Sequence, residues 1–245
     1  MRIRLLALLV LLCSGSVWAD QVADAISAQV KKIDPRLKVA QVQANEALPG
    51  LYDVVLETGE RLYATADGQY MLAGSLLKIT DRGAIDLTEA ARAQTRQEAL
   101  TAIPDDQVIV YPAQGEERAV LNVFTDISCP YCRKFHEEVP KLNQQGVTVR
   151  YLAFPRNGLT AQAAQSMRNV WCAKDKAEAL TAAKAGESVE TSACDTDRVA
   201  EQYELGLKLG VQGTPALMLP DGRMVPGYVP VDRLITSLGL SLRSS

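Results

Sequence analysis

Apolar residues at Val22, Ala25, Ile26, Val30 and Ile33 recur at helical spacing, and Asp34-Pro35 then breaks the pattern. Strand-like runs follow at 37–42, 51–56, 61–65 and 70–76, with Thr58-Gly59-Glu60 and Asp67-Gly68 supplying turns between them. A helix and a meander of about sixty residues can bury only a limited core. Such a unit is expected to gain stability by oligomerising or by packing on the rest of its own chain. Next, Asp86 stands where a helix cap is expected, with Glu89 three residues on, as in a capping box. The stretch 92–98, RAQTRQE, offers little to bury and predicts a helix that bridges domains through solvent, ended by Ile103-Pro104.

From Val108 onward strands and helices alternate. The pattern predicts strands at 119–125 (AVLNVFT) and 147–154 (VTVRYLAF) with a helix at 130–145 between them. It then predicts an Ala-rich helical region at 160–185, a helix at 197–209, strands at 216–219 and 223–225 around Asp221-Gly222, and a last helix at 231–238. The order β-α-β-α-β-β-α with a helical insertion is that of a thioredoxin-like α/β domain. The expected organisation is therefore a leader at 1–19, a small α+β domain at 20–80, a linker helix at 81–106 and a thioredoxin-like domain at 107–245.

The leader changes how the rest is read. Arg2 and Arg4 precede an apolar core at 5–12, and Val17-Trp18-Ala19 offers the small residues of a signal-peptidase site, so the mature chain is expected to start at Asp20. The apolar run is too short to span a bilayer core of roughly 30 Å. Removing Arg2 and Arg4 with it takes the net charge from −3 to −5. With no basic excess to displace counterions, nucleic acid is not an expected partner. Of the five cysteines, Cys13 leaves with the leader. The four that stay form an even set in an oxidising compartment, divided into a tight Cys129-x-x-Cys132 and a wide pair, Cys172 and Cys194.

Cys129-Pro130-Tyr131-Cys132 comes directly after the strand ending at Thr125-Asp126, so it should open a helix. Proline suits the first helical turn, where an N–H has no intrahelical partner anyway. A thiol at that place faces free backbone N–H groups and the positive end of the helix dipole, both of which favour thiolate. Cys129 is expected to be the exposed, attacking sulfur and Cys132 the shielded, resolving one. A zinc site is the rival, but zinc wants four ligands, His136 is the only histidine, and Cys172 and Cys194 lack a close spacing of their own. Cys172 and Cys194 are expected to form a structural disulfide closing the helical insertion, stabilising by roughly 3 kcal/mol. Gly213-Thr214-Pro215 precedes a strand, and a cis Thr214–Pro215 bond there would present the Thr214 backbone to an extended client as an added strand. His136 reads as a surface or partly packed residue and Asp126 as a turn residue.

Four segments together, VFTDISCPYC, VTVRYLAFPRNG, WCAKDKA with the later Cys194, and LGVQGTPALML followed by DGRMVPGY, give the chain its resemblance to the DsbC/DsbG family of periplasmic disulfide isomerases, on the DsbC side. That resemblance implies a cystatin-like N-terminal dimerisation domain, linker helices and two thioredoxin-like domains facing a cleft in a V-shaped homodimer. It implies thiol–disulfide interchange on misfolded disulfide-containing proteins, with some chaperone activity, and reduction of the centre by a membrane reductase of the DsbD type. No cofactor and no metal is implied. Cys129 and Cys132 match the catalytic pair, Cys172 and Cys194 the structural pair, and Thr214-Pro215 the cis-proline loop. Pro130, Tyr131, Thr214 and Pro215 are then the expected client contacts. Family centres usually read CGYC, so Pro130 departs from the pattern and leaves the reduction potential open. Two alternatives remain at this point: a DsbG-like reductase protecting single cysteines, and a chaperone or binding module carrying a non-catalytic disulfide.

Overall fold

The computed structural model describes residues 14–191 and 194–242. Most of the leader, including its apolar core at 5–12, lies outside them. The described chain divides into two compact units, the first ending at Ser75 and the second starting at Leu76.

In the first unit, helix α1 (Ser14–Ile33) lies on an antiparallel sheet of β1 (Val39–Ala44), β2 (Leu51–Leu56), β3 (Arg61–Thr65) and β4 (Met71–Ala73), paired in that order. The helix starts eight residues before the expected Val22. Its inner face brings Ile26 and Val30 onto Val54, Leu56 and Ala64, all buried. Gly68, at φ +65°, turns the chain between β3 and β4 so close to α1 that a Cβ there would stand 3.0 Å from the Ile26 backbone. The expected fourth strand is shorter than its pattern. Past Ala73 the chain leaves the sheet and makes a separate hairpin of β5 (Leu77–Thr80) and β6 (Gly83–Asp86) in the second unit.

Helix α2 (Leu87–Thr101) begins where its cap was expected, with the Asp86 carboxylate accepting from the Glu89 N–H at 2.8 Å. The expectation of a solvent-bridging helix is corrected here. Ala93, Arg96 and Leu100 are buried against the rest of the second unit. Arg96 donates to the Leu209 carbonyl at 3.0 Å and pairs with Glu89 at 2.6 Å. Gln97 donates to the Pro220 carbonyl. Gly222, at φ +79°, brings the following hairpin so near that a Cβ would stand 1.8 Å from the Ala93 carbonyl oxygen. A polar sequence thus buries one face because its charges find partners and its stems pack.

After a short 3₁₀ turn at Asp105–Gln107 comes β7 (Ile109–Tyr111), an edge strand too short to register in the sequence pattern. The core elements follow as β8 (Ala119–Thr125), α3 (Pro130–Glu137), α4 (Val139–Gln144), β9 (Val147–Ala153), α5 (Gln162–Trp171), α6 (Lys176–Ala185), α7 (Arg198–Lys208), β10 (Ala216–Met218), β11 (Met224–Pro226) and α8 (Val231–Ser237). The sheet order is β11-β10-β8-β9-β7, with β8 and β9 parallel and the other pairs antiparallel. Two helices expected as continuous are broken. Pro140 follows the break between α3 and α4, where it denies the helix an N–H. Asp175 caps a new helix, α6, by accepting from the Glu178 N–H.

The strand period of two sorts the core into two layers. Leu121, Val123, Val149, Tyr151 and Leu217 face one way, onto Phe135, Leu142, Met167, Trp171, Leu180 and Leu234. Phe124, Leu152, Ala216 and Met218 face the other, onto Leu100 and Leu209. Strand β9 is buried along its whole length, Thr148 and Arg150 included, as a strand covered on both faces must be. Each large side chain so buried contributes about 1.5–3 kcal/mol. Arg150, the charged member of β9, stays in this interior by spanning to the end of α2. It donates to the Leu100 and Ile103 carbonyls and pairs with Asp105 at 3.0 Å.

Candidate active site

Strand β8 ends at Thr125, and the turn that follows is built around Asp126. Its buried carboxylate accepts from the Ser128 N–H at 2.7 Å and the Ser128 hydroxyl at 2.6 Å. On its other oxygen it accepts from the Arg156 N–H at 2.9 Å. The Arg156 guanidinium lies at 3.4 Å. Burial pushes this carboxyl up, but the Ser128 and Arg156 donors outweigh it and hold the group below the ordinary range. The Asp126 carbonyl then accepts the Cys129 N–H, and Cys129 becomes the N-cap of α3 with Pro130 in the first turn. What read as a simple turn residue is the group that aims the cysteine at the helix start.

Cys129 and Cys132 are both free thiols and both buried. The expectation of an exposed Cys129 is therefore corrected. Its thiol donates to the Thr214 carbonyl at 3.3 Å, and that contact closes over the sulfur. Around the two sulfurs, Pro130 and Tyr131 are exposed, Tyr131 to 63%. The Thr214–Pro215 bond is cis, immediately before β10, which places this loop beside the α3 N-terminus. The Thr214 hydroxyl oxygen is buried and makes no hydrogen bond of ordinary geometry among the described residues. Its proton is free to turn toward a sulfur that becomes negative.

The two thiols are driven apart. Burial pushes Cys129 up, and its donation to the Thr214 carbonyl also favours the protonated thiol. Against these, the Cys132 N–H, the Thr214 and Cys132 side chains and the Arg156 charge all favour thiolate, and the net direction is down. Cys132 goes up because burial dominates. The opposing Lys184 charge and the Thr125 hydroxyl reduce that rise without cancelling it. A low thiol at a helix cap beside a high thiol in the first turn is the arrangement in which one sulfur attacks and the other waits.

Cys172 and Cys194 are bonded to each other across 22 residues of the insertion. His136 is partly packed, hydrogen-bonded to the Tyr151 hydroxyl at 3.0 Å and the Thr181 hydroxyl at 3.1 Å. Burial, then the Lys184 charge, lowers it to about 4, so it is neutral at pH 7. Among the described residues no three His, Cys, Asp or Glu side chains come together as metal ligands. Two charged groups at the site, Arg156 and Lys184, were missed from the sequence. Arg156 sits in the FPRNG run after β9, and a basic residue there carried a signal. Lys184 had none.

Residues 17–89 match the family described as the disulfide bond isomerase protein N-terminal domain, and residues 104–240 match the thioredoxin-like domain family. The chain is 39% identical over 237 residues to the thiol:disulfide interchange protein DsbC of Dickeya dadantii, covering 97% of this chain and 94% of that protein. The chain belongs to the DsbC family of thiol:disulfide interchange proteins. DsbC of Escherichia coli K12 is likewise 39% identical, over 89% of this chain and 86% of its own length. Among solved structures, a disulfide interchange protein from Neisseria gonorrhoeae is 32% identical and covers 57% of this chain and all of its own, with a TM-score of 0.49. This DsbC-family chain is a thiol–disulfide oxidoreductase built from an isomerase-type N-terminal domain and a thioredoxin-like domain.

Proposed function

We propose that Cys129 attacks a disulfide of a misfolded client protein and that Cys132 resolves the adduct. The observation that carries this is the placement of the two sulfurs, Cys129 as the N-cap of α3 against the Thr214 carbonyl and Cys132 buried in the first turn, which favours thiolate at the first and thiol at the second. Attack by the Cys129 thiolate breaks the client disulfide, forms a Cys129–client bond and releases a client thiolate. If that thiolate re-attacks elsewhere in the client, the client is isomerised. If Cys132 attacks Cys129 first, the client leaves reduced and the centre oxidised. Exposed Pro130 and Tyr131, with the Thr214-Pro215 loop, provide the surface on which an extended client segment docks, the Thr214 backbone pairing with it as a strand. The Cys172–Cys194 bond serves as a structural clamp on the insertion.

The same reading assigns a cleaved leader at 1–19, a dimerisation domain at 20–80, a linker at 81–106 and a catalytic domain at 107–245. It places the mature protein in the periplasm as a homodimer with chaperone-like client binding, its centre kept reduced by a membrane reductase of the DsbD type. Large apolar side chains left exposed support self-association: Tyr70 and Leu72 in the first unit, and Leu77, Ile79 and Ile85 in the second. Identity of 39% with DsbC proteins over most of the chain favours isomerase over single-cysteine reductase. The test is Cys132→Ser. Incubated with scrambled ribonuclease, this variant should accumulate a covalent adduct at Cys129 that dithiothreitol releases. Absence of any adduct, with Cys129 titratable in the unfolded protein, refutes the role.

A further inference from the structure

Among the described residues of the second unit four charged side chains are buried, and three of them have an opposite charge within ion-pair distance. Arg96 has Glu89, Arg150 has Asp105, and Asp126 has Arg156. Lys184, 4% exposed near the end of α6, has no carboxylate in an ion pair among the described residues. Its Nζ donates to the Thr125 hydroxyl at 2.7 Å and lies 5.2 Å from the Tyr151 ring. An unpaired ammonium in an apolar interior is costly, and a protein keeps one where a counter-charge forms nearby. Cys132 is the group that can supply it. In the ion pair the Thr125 hydroxyl accepts from Lys184, which leaves its own hydrogen free to favour the Cys132 thiolate.

We propose that Lys184 is a positioning residue that exchanges the proton of Cys132 through the Thr125 hydroxyl, so that the resolving thiolate forms as an internal ion pair with the lysine. The inference rests on Cys132 being the resolving thiol. Before transfer the chain runs the other way, the Cys132 thiol donating to Thr125 Oγ1 and that hydroxyl to the neutral Lys184 amine, the minor form near neutral pH for a group brought down to about 8. As Cys132 gives its proton to Thr125 Oγ1, that hydroxyl gives its own to Nζ. The thiolate then attacks Cys129, the Cys129–client bond breaks and the Cys129–Cys132 bond forms. The client sulfur leaves with the electron pair and takes a proton from solvent. The centre loses two electrons and the client gains two. The ammonium returns its proton to solvent through a cavity of about 470 Å³ lined by Lys184, Thr181, His136, Arg133 and Tyr111.

The electrostatics around Nζ agree with this placement. Burial brings Lys184 down to about 8, within reach of exchange near neutral pH; Cys132, Asp126 and Cys129 pull it back up and Arg133 pushes it down. From α3, neutral His136 faces it as well, and from β9 the Tyr151 ring, whose phenol burial holds protonated.

The test uses the mature chain from Asp20, which no longer carries Cys13. With Cys129→Ser in place, Cys132 is the remaining free thiol, and its thiolate is followed by absorbance at 240 nm against pH. Adding Lys184→Met should move the midpoint up enough to cut the thiolate fraction at a given pH by about tenfold or more. With Cys129 intact, Lys184→Met should lengthen the life of the client adduct while leaving its rate of formation nearly unchanged. Coincident Cys132 titrations with and without Lys184 overturn the proposal. Should Lys184→Met fail to fold, the unsubstituted protein decides: the Lys184 Cε resonance must titrate at different pH in the reduced and the Cys129–Cys132 oxidised forms, and identical titrations overturn it. Adduct trapping by Cys132→Ser is independent of Lys184, so a failed relay and a failed catalytic pair give different results.

Discussion

Acid should loosen the thioredoxin-like unit at a pH set by His136. The imidazole is held near 4 in the folded chain, against an ordinary 6.5, chiefly by burial and then by the Lys184 charge. Its folded pKa is depressed, so the unfolded chain binds the proton first. The stabilisation is complete above pH 6.5 and is lost as pH falls toward 4. The gap corresponds to about 3 kcal/mol, and solvent contact of a partly packed ring lowers this to about 2–3 kcal/mol. Asp126 is depressed below the usual carboxylate value, so its share is lost at lower pH and does not overlap much. The assay is urea unfolding of the mature chain between pH 7.5 and 4, followed by the fluorescence of Trp171, which is buried beside the insertion. Wild type should lose about 2–3 kcal/mol across that range. His136→Gln, which keeps a polar group toward Tyr151 and Thr181, should be weaker at pH 7.5 and lose far less on acidification. Parallel pH profiles for the two proteins would refute the assignment.

Two further outcomes are expected. Replacing Cys172 and Cys194 by serine frees a loop of 22 residues' separation and should cost about 3 kcal/mol, read by the same Trp171 transition; an unchanged midpoint refutes the clamp. Arg156→Gln should slow adduct formation in the Cys132→Ser background by about two- to fivefold, as expected for a half-exposed charge, with the pH–rate midpoint moving up because Arg156 favours the Cys129 thiolate. Equal rates and midpoints would remove Arg156 from the site.

The sequence disclosed what is local. A cysteine pair three residues apart after a buried strand specifies a helix cap, and the cap specifies much of the chemistry. Strands β2, β3 and β8 were legible to the residue, the first two because a turn containing Gly59 lies between them and β8 because its apolar run is nearly continuous. Contacts made across the fold were not legible. Lys184 reaches Thr125 over 59 residues, and nothing in an Ala-rich helix marks one lysine as interior. Arg96 is just as opaque: RAQTRQE looks soluble on every side until Leu209 and Glu89 receive the guanidinium. Burial of Cys129 was missed for a related reason, since the Thr214 carbonyl that covers it comes from 85 residues away.

That covering carbonyl has a consequence for selectivity. The oxygen that holds the thiol closed is also the one an incoming backbone amide would pair with. A peptide strand competes for it and uncaps the sulfur in the same motion, whereas a small oxidant brings nothing to exchange for the bond. While Cys129 is a thiol the latch thus yields to polypeptide, which offers the carbonyl a replacement donor that a small oxidant does not.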